Sequence, residues 1–129
     1  MANQFVVQLK NEPGSMAILA ETLAAAGVDL RAIGGGGIGD AGHVIMTTAD
    51  DDGTRRVLDE GGYTYVEGES ILAEVDDRPG GMARLSRALA DAGVNIYGHL
   101  FLGRWGDRAM FAFVVDRPDV ARPILERKG

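Results

Sequence analysis

Apolar and polar positions alternate strictly at the start of the chain. In residues 5–10, Phe5, Val7 and Leu9 fall on one face and Val6, Gln8 and Lys10 on the other, which is the period of a half-buried strand. The period then changes. Met16, Leu19, Leu23 and Ala26 recur at helical spacing. The pattern predicts that Pro13 opens this helix, where a missing N–H costs nothing, and that Gly27 ends it as a C′ glycine. A second strand is predicted from Val28-Asp29-Leu30, a glycine-rich turn over 34–42, a third strand over 44–48, a short helix near 53–60 and a fourth strand over 63–66.

A shift of 66 residues lays the chain on itself. Residues 11–30 (NEPGSMAILAETLAAAGVDL) align with 77–96 (DRPGGMARLSRALADAGVNI), and ten of these twenty positions are identical. So close a match marks the duplication of one supersecondary unit. The shift carries the first strand onto Ile71, Ala73 and Val75, and the helix onto Met82, Leu85, Leu89 and Ala92, between Pro79 and Gly93. The second strand maps onto Val94-Asn95-Ile96. A shorter turn over 103–107, a third strand over 109–115 and a helix over 118–127 complete the copy, with Pro123 predicted to shorten or kink that helix. The fold class is α+β, two βαββαβ ferredoxin-like repeats with antiparallel sheets, over 1–68 and 69–129. The second repeat lacks its last strand, because the positions that would carry it fall past residue 129. The expected consequence is an open edge on the strand at 71–75, an invitation to pairing that another chain would cover; a truncated sequence is the plain alternative.

Composition narrows the classes. A repeat of about 65 residues is marginal alone, so the two are expected to share an interface. Hydrophobic residues make up 46% and aromatics only 6%, so the core is expected to be aliphatic. The net charge of −6 repels polyanions and argues against nucleic acid or an anionic membrane as partner. The basic pairs Arg55-Arg56 and Arg127-Lys128 read as solvated. The absence of cysteine excludes disulfides, thiolate catalysis and cysteine metal sites. No apolar run approaches a membrane span of roughly 20 residues and no leader pattern opens the chain, so a cytoplasmic location is expected.

The motif Asp/Asn-x-Pro-Gly-x-Met, a helix ending in Gly, then Val-Asp/Asn-Leu/Ile resembles the ACT domain. Both copies carry it: Asn11, Pro13, Gly14, Ser15 and Met16 with Asp29 and Leu30, and Asp77, Pro79, Gly80, Gly81 and Met82 with Asn95 and Ile96. The resemblance implies a non-catalytic regulatory module that binds a small ligand, an amino acid, at an interface between modules. It further implies a homodimer or an enzyme of amino-acid metabolism as partner, and no cofactor. In such a site the start of the helix suits a carboxylate. Gly14, Gly80 and Gly81 would let a ligand approach the backbone, and Asn11 or Asp77 with Asp29 or Asn95 would hold its charged groups. His99, on the second strand, joins the candidate contacts. The second copy resembles the family more closely; in the first, acid and amide are exchanged, so one competent and one degraded site are expected. Pro-Gly and Asx are also ordinary turn residues, and a structural or protein-interaction module without a ligand is the alternative.

Other signals carry less. Residues 34–39 and 37–42 match G-x-G-x-x-G, but a β-branched segment follows where a dinucleotide site needs a helix; a flexible hairpin or bulged strand fits better. His43 has no metal-ligating neighbour. Asp50, Asp51 and Asp52 read as the acidic start of a helix, Trp105 as an exposed anchor at a turn, and Phe111 and Phe113 as core rather than RNA-stacking platforms.

Overall fold

The structure, a computed structural model, describes residues 3–126. The chain divides into two compact units, Met1–Gly68 and Glu69–Gly129. In the first, β1 (Asn3–Lys10), α1 (Ser15–Ala25), β2 (Leu30–Ile38), β3 (Ala41–Thr48), α2 (Asp51–Glu60) and β4 (Tyr65–Glu69) follow one another, and the sheet order is β2-β3-β1-β4. The second runs β5 (Ile71–Asp76), α3 (Gly81–Asp91), β6 (Ile96–Trp105), β7 (Arg108–Val115) and α4 (Pro118–Leu125), in the order β5-β7-β6. These are two ferredoxin-like repeats, the second without a fourth strand among the described residues. The predicted helix end at residue 127 and the basic pair Arg127-Lys128 lie outside the described residues.

Each unit has its own core, built on the alternation read above. Phe5 and Val7 on β1 pack with Leu19 and Leu23 of α1, Met46 of β3 and Leu58 of α2. Ile71 and Ala73 on β5 pack with Leu89 of α3, Phe113 of β7 and Leu125 of α4. Phe113 is core and Phe111 packs partly buried against it.

Two local expectations need correction. Pro13 and Pro79 do not occupy the first helical turn. The N-caps are Gly14 and Gly80, held at φ +91° and +92°, so each proline precedes the cap. Glycine is needed there because an L side chain is strained in the left-handed region. The run 34–42 is a hairpin, as one reading of it has it, rather than a turn throughout: Gly34 to Gly37 lie within β2, paired with Ile45 through Gly42 of β3, and only Gly39 and Asp40 turn it. Backbone pairing to a β-branched neighbour overrides glycine's weak strand preference. Pro123 sits inside α4, which stops at Leu125, two residues short of the predicted span 118–127, and Glu126 still donates to the Arg122 carbonyl at 2.9 Å. Gly27 and Gly93 do follow the helix ends, at φ +76° and +74°.

Candidate functional site

The two repeats share one strand register. Phe5 pairs with Met46 and Lys10 with Ala41; Ile71 pairs with Phe113 and Asp76 with Arg108. The offset is 66 on the first strand and 67 on the third. Both β2 and β6 are bulged near their starts, at Leu30/Ala32 and Ile96/Gly98, and β6 alone carries a second bulge between Phe101 and Gly103. Leu102 is the extra residue. Beyond it, Gly36 corresponds to Gly103 and Gly37 to Arg104; before it, Ile33 corresponds to His99 and Gly35 to Phe101.

With that correspondence, the structure holds a cleft at the same place in each unit, between the loop after the first strand and the hairpin that follows the helix. In the first unit it encloses about 420 Å³, within the range of small-ligand sites. Leu9, Met16, Ile33 and Val44 form apolar walls, Gly34 to Gly37 the floor, and Lys10, Asn11, Glu12, Ser15 and His43 the polar rim. In the second unit the cleft encloses about 410 Å³. Val75, Met82 and Phe111 replace Leu9, Met16 and Val44, and Asp76, Asp77 and Arg78 replace Lys10, Asn11 and Glu12.

The loop and hairpin are tied together in the same way in both copies. The Asn11 backbone N–H donates to the Asp40 carbonyl at 3.0 Å, and that of Asp77 to the Asp107 carbonyl at 2.8 Å. Side chains then diverge. The Asn11 amide donates to the Gly39 carbonyl at 2.9 Å, and it lies so close to Gly37 that a Cβ there would meet it at 2.5 Å. In the second unit Arg104, at the position of Gly37, donates from Nε to Asp77 at 2.7 Å and stacks over the Phe101 ring at 4.8 Å. Phe101 in turn meets Phe111 edge-on at 5.5 Å.

Of the candidate residues, Asn11, Ser15 and Met16 line the first cleft and Asp77, Pro79 and Met82 the second. Pro13, Gly14 and Gly80 shape the adjoining loops. Gly81 has a different reason to be glycine: a Cβ there would meet the Asp76 carbonyl oxygen at 2.1 Å, so backbone packing demands it. Asp29 and Asn95 stand at the other end of their sheets. The Asp29 carbonyl accepts from Ala49 beyond the end of β3, whereas Asn11 binds at its start. The eight residues of β3 separate them by about 25 Å at ~3.3 Å per residue. Within one unit, therefore, Asn11 and Asp29, or Asp77 and Asn95, do not share a site. Asp29 pairs with Arg31 at 3.5 Å on the surface. The Asn95 backbone N–H donates to the Asp116 carboxylate at 2.8 Å. Leu30 and Ile96 pack against the two cores. His99 is exposed, its ring 6.2 Å from that of Phe113. Sequence reasoning missed Ile33, the glycine floor and His43. Their signal was the continuing alternation through Val44 and Met46, which makes 34–37 the partner strand.

No family model matches the sequence, and no curated protein matches it at a significant level. Solved structures do match the fold. Protein BT0572 from Bacteroides thetaiotaomicron superposes with a TM-score of 0.70 at 20% identity, over 97% of this chain and 86% of that one. The regulatory subunit of aspartate kinase from Thermus flavus gives 0.64 at 16%, over 97% and 91%. That from Thermus thermophilus, in its ligand-free form, gives 0.58 at 18%, over 96% and 89%. The likeness is one of fold: two ferredoxin-like, ACT-like repeats in one chain. The cleft of each repeat lies where its β1–α1 or β5–α3 loop meets its hairpin. No helix among the described residues is long and apolar enough to cross a membrane.

Proposed function

We propose that this chain is a non-catalytic regulatory module whose ligand is a free amino acid. One observation carries the reading: a cleft of about 420 Å³ with aliphatic walls and one charge of each sign on its rim, Lys10 and Glu12. Neither charge enters an ion pair among the described residues. Such a rim suits a small zwitterion, with Lys10 toward its carboxylate and Glu12 toward its ammonium, while Leu9, Met16, Ile33 and Val44 receive an aliphatic side chain. Likeness of fold to regulatory subunits of aspartate kinase supports a regulatory role and an enzyme of amino-acid metabolism as partner. A homodimer belongs to the same proposal. Ligand would act by favouring one assembly of modules, since equal affinity for two states shifts neither.

Thermal unfolding of the full chain with each standard amino acid at millimolar concentration tests this. A ligand at 100 times its Kd adds about 2.7 kcal/mol, a rise of several degrees for a chain of this size. The expected responders are aliphatic. A flat response to all of them would remove amino-acid sensing and leave an interaction module, the reading favoured by the exposed Phe101, Leu102 and Trp105 on β6.

A further inference from the structure

The two clefts occupy the same place in their repeats but differ in every charge. Lys10 is replaced by Asp76, Asn11 by Asp77, Glu12 by Arg78 and Gly37 by Arg104. In the second cleft each of these charges is satisfied from within the unit. Asp76 is paired with Arg108, with Arg78 at 3.4 Å and with Arg84 at 3.5 Å. Asp77 is held by Arg104 at 2.7 Å. The Arg104 guanidinium also covers the Phe101 ring, and in the first repeat that ring's position is Gly35, which has no side chain. An acidic group at the mouth of a cleft is the natural partner of a ligand's ammonium, and here the protein's own cation already occupies that partner. In the first cleft the floor is bare glycine and the rim charges are unpaired among the described residues.

We infer that the repeats divide the work: the first cleft receives the ligand, and the second is a self-occupied copy, latched by Arg104 on Asp77. This rests on the amino-acid reading above and gives it a direction that the motif alone does not, since the second copy is the closer match to the family pattern. Arg104 is a cation held in place of a ligand's, and the bulge at Leu102 registers it. The extra residue shifts the end of β6 by one position relative to its start, so that Arg104 falls opposite Ala109, as Gly37 falls opposite Gly42.

Amide NMR spectra of the full chain titrated with isoleucine, leucine and valine separate the possibilities. The expected result is movement of the Asn11, Ser15, Gly34–Gly37 and Gly42 amides, with those of Asp77, Met82 and Arg104 unmoved. Arg104→Gly should then bring the Asp77 and Met82 amides into the response at the same ligand concentrations, leaving the first set as in the parent. Movement confined to the second set, or equal in both sets of the parent protein, overturns the division of work. A second set that stays silent in Arg104→Gly overturns the latch. If no amide moves in either protein, the amino-acid reading itself fails and the division falls with it, an outcome distinct from the others.

Discussion

Glu67 on β4 is the best-tied carboxylate of the first unit. The Arg55 guanidinium donates to it from Nε at 2.8 Å and again from its terminal nitrogen, and the Asn3 amide adds a third bond at 2.8 Å. Its side chain is only 18% exposed. The hydrogen bonds from Arg55 hold its pKa below the ordinary glutamate value, against the opposing effect of burial. A depressed folded pKa means stability that is fully present above the unfolded value, near 4.3, and lost as pH falls through the folded value. Glu67→Gln should therefore cost about 1 kcal/mol at neutral pH and progressively less as pH falls below the unfolded value. Urea unfolding of both proteins across that range reads the difference; an equal cost throughout it would contradict the assignment. Tertiary partners of this kind were invisible in the sequence, because Arg55 and Glu67 lie on different elements with nothing in their spacing to join them. The cap on α2 was legible. Asp50 accepts from the Gly53 N–H at 2.9 Å, as the acidic run 50–52 suggests, because N-capping is a local interaction.

At the scale of elements, duplication made the fold readable and glycine obscured it. Strands and helices with a clear period fell where expected, since alternation and the 3.6-residue stripe report directly on burial. The run 34–37 has no side chains to alternate, so its strand character resides in the register of β3 rather than in itself. Its glycines are also not equivalent. A Cβ on Gly35 would meet the His43 carbonyl oxygen at 2.3 Å, whereas one on Gly36 has only a His43 ring carbon at 3.9 Å. Gly35→Ala should destabilise by about 2 kcal/mol, because backbone has to move. Gly36→Ala should lie within ~0.5 kcal/mol of the parent, with the stiffer unfolded chain as a compensating gain. Gly81→Ala belongs with Gly35: its Cβ would fall 2.1 Å from the Asp76 carbonyl oxygen. Urea midpoints for the three variants rank them; a Gly81→Ala protein as stable as the parent would contradict the close approach of α3 to β5.

For the whole molecule, the sequence disclosed two copies of one unit but not which copy is open. The motif residues are turn-formers shared by both, and they place the clefts. What distinguishes the clefts is long-range: a bulge that brings Arg104 to Asp77, and charges at 10, 12, 76 and 78 that are either free or paired. Asn11 and Asp29 of one unit stand at opposite ends of the sheet, so a ligand held by both residue types would need them from two different modules, as the interface reading has it. In the proposed site Lys10 and Glu12 read the two charges of a small zwitterion. Calorimetric titration of the parent protein with the amino acid that raises its melting temperature, and with the methyl ester and the N-acetyl derivative of that same amino acid, tests it most directly. The free amino acid should bind, and each derivative should lose at least about tenfold in affinity, ~1.4 kcal/mol, with Lys10→Met abolishing the discrimination against the ester. Equal affinity for all three ligands would contradict it.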